Sequence, residues 1–341
     1  MKELLRTTDV VRLSWVTALL KDAGIDSFQL DYHASLMDGS IGAVPRRLMV
    51  LDAHWDSADQ LVRAADAEIA AEIAAETTAH PLPTDAHADG AGESGSMDLL
   101  LGGRLRLRQP DAGYRAAIDP VLLAAFTRAV PGDKVLDIGT GTAAAALCLA
   151  ARVDGVAIVG LEKLPEAAEI ARANVALNAA GDRITVVEGD LLRPPISAVQ
   201  HLAPGSFQRV MMNPPYLKAG TASVPPDPWK AAANVEGEAR LGDWVKFAHR
   251  MLAARGELTL VHRADRFDDI MAALTPAFGS LVLVPLWPRA GGDARRLLVR
   301  AVKGGKSPAR LTSGLVLHAE GSGGYSEAAE AILRDANPLD P

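Results

Sequence analysis

Four polar side chains are spaced along the sequence at intervals that suit one catalytic site. They are Asp137 in "VLDIGTGT", Glu162 in "AIVGLEK", Asp190 in "VVEGD" and Asn213 in "RVMMNPPY". Each lies in or directly after an apolar run, and the intervals of 25, 28 and 23 residues each correspond to one strand-helix unit. Because the carboxyl ends of neighbouring parallel strands meet at one edge of an open α/β sheet, we expect all four to lie together there.

The stretch "NPPY", residues 213–216, follows an apolar strand that it must end, since neither Pro214 nor Pro215 can donate a hydrogen bond to a sheet. The Asn213 side-chain oxygen and the Pro214 carbonyl can each accept one N–H of an exocyclic amine, which would hold its nitrogen in line with a methyl donor. Tyr216 supplies a ring on which a planar amide or an extruded base can stack. These four residues are the predicted catalytic residues.

The glycine-rich turn "GTGTAA" is compatible with two classes of cofactor. It matches the dinucleotide fingerprint, but Asp137 stands two residues before Gly139, where a carboxylate would repel a pyrophosphate. The same carboxylate would attract the ammonium of S-adenosylmethionine. We therefore predict S-adenosylmethionine, with Asp137, Gly139 and Gly141 at its methionyl end, Glu162 at the ribose and Asp190 at the adenine amino group.

Composition indicates a globular protein, with 49% hydrophobic and 23% charged residues among 341. The first 20 residues interrupt every apolar run with charges, and no later run is long enough to span a membrane, so we expect a soluble, cytoplasmic protein. The single cysteine, Cys148, lies in the apolar run "AALCLAA" and is expected to be buried. The eight histidines show no close-spaced ligand pattern, so no metal is predicted.

The sequence predicts two domains joined by a linker. Residues 1–72 show an order β-α-β-β-α, with "KELLRT", "SFQLDY" and "RRLMVLDAHW" as strands, one helix that begins at Asp9 and a second that begins at Ser57, which suggests a small α+β ferredoxin-like domain. Residues 73–97 are rich in Pro, Gly, Ser and Thr and are expected to be a flexible linker. Residues 98–341 form the predicted α/β domain, with a Rossmann-like sheet.

Charge is unevenly divided along the chain. Residues 1–97 hold 7 basic and 16 acidic residues, a net charge of −9, and the remainder holds 28 and 26, a net charge of +2. One run in the second part is strongly basic, and we expect it to contact the phosphates of a nucleic acid or, alternatively, to be a solvated pair of strands. Its cationic residues are Arg289, Arg295, Arg296, Arg300, Lys303, Lys306 and Arg310.

The front segment, with "LLKDAGI" and "SIGAVPRRLMV", resembles a family of small prokaryotic domains described as signal-transducing proteins. The resemblance implies the fold of residues 1–72. It leaves open whether this domain binds a small ligand or a protein partner, or only docks on the second domain.

Residues 98 to about 335 resemble the class I S-adenosylmethionine-dependent methyltransferases. Within them, "GYRAAIDPVLLAA", "VLDIGTGTAAAALCLA", "NPPY" and "LVLHAEGSGGYSEAAEAILRD" are similar to the bacterial family that methylates the 6-amino group of adenine in the anticodon loop of a valine tRNA. The resemblance implies the site residues given above and places Tyr114, Arg115 and Asp119 beside the methionine tail. Where the family has a third glycine in the turn, this chain has Ala143.

The tetrapeptide also serves methyltransferases of a glutamine amide in release factors and of guanine in ribosomal RNA, so both stay open as substrates. The strand-containing front segment argues against the glutamine enzymes, which typically carry a helical front domain. A third alternative is a sensor of S-adenosylmethionine with a regulatory front domain. Against a sensor, the two carbonyl acceptors at Asn213 and Pro214 would have no amine to orient.

Overall fold

The structure is a computed structural model that describes residues 1–7, 13, 16, 17, 19–21, 23–30, 46–64, 96–110, 118–194, 201–216, 236–275, 277–319 and 324–341. The chain divides into two compact units, Met1–Glu93 and Ser94–Pro341. No helix in the described ranges is long and apolar enough to cross a membrane.

The front unit contains a three-stranded antiparallel sheet with the order β1-β3-β2. Its strands are β1 (Lys2–Thr7), β2 (Ser27–Leu30) and β3 (Arg46–Val50). The segment between β1 and β2 contributes Leu13, Val16 and Leu20 to an apolar cluster that also contains side chains of β3. Two parallel strands on either side of an antiparallel third, with a helix in the connection, form the split β-α-β arrangement of a ferredoxin-like sheet.

The predicted third strand of the front unit is too long. Asp52–His54 form a 3-10 helix directly after β3, and residues 55–64 are helical, so this helix begins before Ser57. The His54 N–H already donates to the Leu51 carbonyl, which turns the backbone out of the extended conformation that a strand needs. The proposed start of the first helix at Asp9, residues 65–72 of the front domain and residues 73–95 of the predicted linker lie outside the described residues.

The second unit is built on a nine-stranded sheet with the order β13-β11-β12-β10-β9-β6-β7-β8, with β14 also paired to β11. Strands β10, β9, β6, β7 and β8 run parallel, and β12 is antiparallel to both of its neighbours. The strands are β6 (Lys134–Ile138), β7 (Ala157–Glu162), β8 (Ile184–Glu188), β9 (Phe207–Met212), β10 (Leu252–Arg263), β11 (Phe278–Trp287), β12 (Arg296–Lys303), β13 (Arg310–Leu311) and β14 (Leu315–Val316).

Helices cover both faces of this sheet. They are α1 (Asp119–Phe126), α2 (Ala144–Arg152), α3 (Pro165–Leu177), α4 (Leu241–Met251), α5 (Phe267–Leu274) and α6 (Glu327–Leu333). On one face, α4 and α5 pack against apolar side chains of the central strands, including Phe207, Val210 and Leu258. The parallel strands are therefore nearly continuous apolar runs, as expected when both faces are covered. The predicted Rossmann-like fold class is confirmed.

A separate hairpin precedes the first helix of this unit. It consists of β4 (Ser96–Leu100) and β5 (Leu105–Gln109), so Ser96 and Met97, predicted to end the linker, belong to a strand instead. The Ser and Gly content suggested a linker, but these two residues pair with β5 and belong to the compact unit that begins at Ser94. Along β5, buried residues alternate with partly exposed ones.

Candidate active site

A cavity of about 270 Å³ lies at the carboxyl ends of the parallel strands β6, β7, β8 and β9. The loops that follow all four strands contribute to its lining, and so do the start of α1 and the side chain of Trp244 on α4. The lining includes every described residue of the sequence-predicted set except Asp119: Asp137, Gly139, Gly141, Glu162, Asp190, Asn213, Pro214, Pro215 and Tyr216. Arg115 and Tyr114 lie outside the described residues.

The glycine-rich turn after β6 requires two of its glycines for backbone reasons. Gly139 has φ +68° and Gly141 has φ +57°, which are left-handed conformations that favour glycine. A Cβ on Gly139 would also lie 2.5 Å from Cη2 of Trp244, so this position has no room for a side chain. A Cβ on Gly141 would meet no heavy atom within 4 Å, which leaves the cavity open beside its backbone.

Ala143 ends the turn in the same left-handed conformation, with φ +67°, and is fully buried before α2 begins. The position where the resembling family has a third glycine therefore carries backbone strain of about 1–2 kcal/mol in this chain. The sequence showed that Ala143 replaces a glycine, but it did not predict this strain, because the φ angle of a turn residue cannot be read from its type.

Asp137 is buried at the end of β6, with 2% of its surface exposed. The Thr140 hydroxyl donates to its Oδ2 at 2.7 Å. Burial raises the pKa of Asp137 to about 7, although the bond from Thr140 acts to lower it. A buried carboxyl with this pKa gains from a cationic group brought next to it, because the cation favours the ionised form.

Glu162, at the end of β7, organises the turn. Its Oε2 accepts the Gly141 N–H at 2.8 Å and its Oε1 accepts the Leu164 N–H at 2.9 Å. Burial raises the pKa of Glu162, and these backbone donors oppose the rise. The sequence predicted a ribose ligand at this position, and the structure adds that the same carboxylate joins the ends of β6 and β7.

Asp190 lies two residues beyond β8, where Lys163 makes an ion pair with it at 2.8 Å and the Leu192 N–H donates to it at 2.9 Å. Its partial burial acts to raise the pKa of the carboxyl, but the hydrogen bonds from Lys163 and Leu192 lower it below the ordinary value. Lys163 also lines the cavity and was missed by sequence reasoning. Its only sequence signal is its place directly after Glu162.

Strand β9 ends at Met212, as predicted, and the next residues turn into the cavity. Tyr216 is held there by four neighbours. Its hydroxyl donates to Asp119 at 2.7 Å, its carbonyl accepts from Arg266 at 3.0 Å, and the Arg296 guanidinium lies 4.5 Å from its ring centre. The His262 ring meets it edge-on, with centroids 5.4 Å apart. The turn "NPPY" is thus anchored at its last residue.

Asp119 is not among the residues that line the cavity, and its place beside the methionine tail stays a prediction. Arg296 donates to its Oδ2 at 3.1 Å, and both side chains are buried. Burial acts to lower the pKa of Arg296, but Asp119 and Tyr216 raise it above the ordinary value, so the guanidinium stays charged. The carboxylate at the start of α1 therefore supports the turn 213–216 from outside the cavity.

The basic run of the final strands is not a single surface. Arg296 and Arg300 are each 5% exposed, and Lys303 donates to the His249 and Leu252 carbonyls, both at 2.7 Å. These three lie on β12, which is in the interior of the sheet between β10 and β11. The predicted phosphate-binding cluster is wrong for them, because packing against helices directs their charges into the protein. Four members stay exposed: Arg289, Arg295, Lys306 and Arg310.

Other candidate chemistry in the described residues is limited. Cys148 is buried, as predicted, and burial raises the pKa of its thiol to about 12. No group of three or more His, Cys, Asp or Glu side chains in the described part of the chain is arranged to hold a metal ion.

Two family models match the chain. Residues 118–285 match the model described as "Methyltransferase small domain", which covers the cavity and the strands around it. Residues 1–75 match the model described as "Putative prokaryotic signal transducing protein".

Curated relatives match more than half of the chain. A tRNA1(Val) (adenine(37)-N6)-methyltransferase of Porphyromonas gingivalis is 32% identical over 51% of this chain and 68% of its own length. The enzyme of the same name from Aeromonas salmonicida is 30% identical over 62% of this chain and 86% of its own. Among solved structures, a predicted O-methyltransferase from Agrobacterium tumefaciens has a TM-score of 0.55 and 29% identity, over 65% of this chain and 98% of that one.

Proposed function

The chain belongs to the tRNA1(Val) (adenine(37)-N6)-methyltransferase family, and on that premise we propose how its own residues bind the cofactor and the target amine. It is an S-adenosylmethionine-dependent N-methyltransferase. When bound, S-adenosylmethionine supplies an electrophilic methyl group on a sulfonium. The observation that carries the proposal is the convergence of Asp137, Glu162, Asp190 and the turn 213–216 on one cavity.

The donor set of the cavity fits this cofactor. Asp137 faces the turn with a buried carboxyl that an ammonium would ionise, and the open side of Gly141 lets a ligand approach the backbone. Glu162 keeps unused lone pairs for the ribose hydroxyls after accepting two backbone N–H groups. Asp190 is held ionised by Lys163 and accepts from the adenine amino group. Leu161, Leu164 and Leu191 give the cavity apolar walls.

Asn213 and Pro214 orient the amine that is methylated. The lone pair of an exocyclic amine is delocalised into the ring, so its nitrogen is a weak nucleophile that gains most from positioning. The side-chain oxygen of Asn213 and the Pro214 carbonyl each accept one N–H, and both stabilise the positive charge that grows on nitrogen. No strong base is needed, since the proton becomes acidic only after transfer. Pro214 and Pro215 fix the direction of these acceptors.

Tyr216 has a supporting role in this proposal as well as a stacking role. Asp119, Arg266 and Arg296 fix its hydroxyl, its carbonyl and one face of its ring. Because the guanidinium of Arg296 covers one face, at most the other face is left for an extruded base. Anchoring Tyr216 keeps the Pro214 carbonyl in place two residues earlier in the chain.

The substrate we propose is the 6-amino group of an adenine in tRNA, as in the names of the curated relatives. A glutamine amide and guanine in ribosomal RNA present similar amines, and the relatives favour adenine over both. A sensor that only binds the cofactor would have no use for amine acceptors in the cavity wall.

The test is to incubate the full chain with methyl-labelled S-adenosylmethionine and tRNA that lacks its own modification. We expect labelled N6-methyladenosine after digestion of the tRNA to nucleosides, measured by mass spectrometry. Asn213→Ala is the control for contaminating activity. Label in a protein glutamine or in guanosine, or no turnover with intact cofactor binding, would replace this proposal by one of the alternatives.

A further inference from the structure

We propose that His262 is a positioning residue for methyl transfer, and that its ring Nε2–H donates to the Pro215 carbonyl when the turn 213–216 takes hold of the target amine. The inference rests on the proposed function and adds to it a residue of β10 that is not among the cavity lining. It starts from a buried imidazole nitrogen that lies near an acceptor but completes no hydrogen bond in this structure.

The sheet places His262 beside the turn that follows β9. The last pair between the parallel strands β9 and β10 is Met212 with Leu260. His262 lies two residues beyond this pair on β10, and Pro214 lies two residues beyond it where the chain leaves β9. His262 is fully buried, and its ring meets the Tyr216 ring edge-on with centroids 5.4 Å apart. The imidazole therefore packs directly against the turn that is proposed to orient the amine.

The backbone next to His262 determines which ring nitrogen carries the proton. The Arg263 N–H donates to Nδ1 of His262 at 2.9 Å, so Nδ1 is the acceptor of a neutral ring and the proton is on Nε2. Nε2 is buried and has no hydrogen-bond partner in the part of the chain that the structure describes. A buried N–H without a partner is unfavourable. A conformation of the turn that brings an acceptor to Nε2 is therefore stabilised.

The Pro215 carbonyl is the acceptor available to this nitrogen. Proline has no N–H, so the hydrogen-bonding effect of Pro215, which acts to raise the pKa of His262, comes from its carbonyl. Because Nδ1 already accepts from Arg263, this carbonyl can pair only with Nε2. Hydrogen bonds of a catalytic site are often long before the substrate binds and shorten in the reactive complex. Closing this bond fixes the residue directly after Pro214, whose carbonyl is proposed to accept from the amine.

The charges around the ring argue against a direct acid-base role for His262. Burial lowers its pKa to about 4, and the guanidinium groups of Arg266 and Arg296 act in the same direction. The nearby carboxylate of Asp265 is paired with Arg263. A ring that stays neutral and does not line the cavity is a donor that orients the turn, not a base that takes the proton of the amine.

The test compares two substitutions of His262 in the full chain. His262→Phe keeps a ring next to Tyr216 and removes the donor, whereas His262→Gln keeps an N–H donor at the position of Nε2. For His262→Phe we expect about tenfold lower kcat with unmodified tRNA, because the acceptors of the amine are misplaced. Its KM for tRNA and its affinity for S-adenosylmethionine should stay unchanged. His262→Gln should recover most of the lost kcat.

His249→Phe is the matched control. His249 makes the same kind of edge-on contact, with Phe278 at 5.4 Å between centroids. Phe278 begins β11, which runs in the same direction as β10, so this pair lies at the opposite edge of the sheet from the cavity. Its replacement should leave kcat unchanged.

A measurement on the unaltered chain tests the bond without any substitution. In nitrogen-proton correlation spectra at pH 7, the His262 ring should be neutral and protonated at Nε2, with its signal assigned by its absence in His262→Gln. Addition of S-adenosylhomocysteine and unmodified tRNA should move the Nε2 proton signal downfield, as a shorter hydrogen bond requires.

Normal kcat in a folded His262→Phe variant, or equal losses of kcat in His262→Phe and His262→Gln, would overturn the inference. If the phenylalanine variant does not fold, the spectra decide. A ring that is cationic or protonated at Nδ1, or an Nε2 proton signal that tRNA does not move, would overturn the inference as well. The proposed function fails separately, only if the unaltered chain transfers no methyl group to tRNA adenine.

Discussion

The carboxyl edge of the sheet and strand β12 both carry polar residues that the sequence grouped together, but only the first group meets in space. At the edge, Asp137, Glu162 and Asn213 come from three strands and line one cavity. Within β12, Arg296 and Arg300 face helix α1 and are buried, whereas the alternate residues Leu297 and Val299 enter the apolar core. Side chains at strand ends share an edge, and side chains within a strand are divided between two covered faces.

The two buried arginines of β12 hold helix α1 at both ends. Arg296 pairs with Asp119 in the first turn, and Arg300 donates to the Phe126 carbonyl at the last residue, 3.4 Å away. A cation is favourable at the carbonyl end of a helix. Strand β12 thus supports the proposed catalytic turn through Asp119 and Tyr216, and its buried arginines are not part of a nucleic-acid surface.

Arg296→Met is expected to give the largest effect, a loss of stability that tests the structural role of the buried arginines in β12. It removes the guanidinium that pairs with the buried Asp119 carboxylate and keeps the hydrogen bond from the Tyr216 hydroxyl, and breaking a buried ion pair in this way costs about 3–5 kcal/mol of unfolding free energy. Denaturant unfolding measures the change. The exposed neighbour Arg295→Met is the matched control and should change stability by less than about 0.5 kcal/mol. Equal losses of unfolding free energy in the two variants would show that the buried Arg296 contributes no more to stability than the exposed Arg295.

At the carboxyl edge, Asn213→Ala should reduce turnover by about two orders of magnitude, because it removes one preorganised acceptor. Affinity for S-adenosylmethionine, measured by calorimetry, should stay near that of the unaltered chain. Asn213→Asp keeps an oxygen acceptor and should lose less. Turnover near normal in Asn213→Ala would show that the amine is oriented by other groups.

Asp137 makes the same edge sensitive to pH. Because burial raises its pKa to about 7, the carboxyl is mostly protonated at pH 5.5 in the free protein and half ionised at pH 7. A bound ammonium favours the ionised form, so affinity for S-adenosylmethionine should rise about tenfold between these pH values, with release of a proton. Calorimetry in buffers of different ionisation enthalpy measures both. Asp137→Asn should bind more weakly and without this pH dependence, and a flat profile in the unaltered chain would exclude Asp137 from the cofactor site.

The sequence was sufficient to predict the succession of strand-helix units along the chain and the polar residues at the strand ends, since hydrophobic periodicity and interval length are local properties. It could not give the partners of those residues. Lys163 pairs with Asp190, and the Tyr216 hydroxyl donates to Asp119. The side chains of Asn174 and Asn178 accept backbone N–H groups of β5. No pattern in the sequence indicates these contacts. Burial within β12 was missed for a related reason: an arginine in a strand is normally exposed, and only its partner on the covering helix α1 reveals the exception.

The smallest expected effect is the change in stability when backbone strain at the carboxyl edge is relieved. It is compared with the change at a second alanine that has the same left-handed conformation. Ala143 in the turn and Ala179 after α3 have φ +67° and +49°. Replacement by glycine relieves strain of about 1–2 kcal/mol at both positions and costs about 0.5–1 kcal/mol of unfolded-state entropy. Ala179 is exposed, so Ala179→Gly should stabilise the chain by about 0.5–1 kcal/mol. Ala143 is fully buried, and the loss of its methyl costs about 0.8 kcal/mol more, so Ala143→Gly should gain little. Thermal unfolding of the two variants compares them directly. A larger gain at Ala143 would mean that the turn stores more strain than its φ angle indicates, and that the cofactor loop, unlike the helix end, is held in place against its own conformational preference.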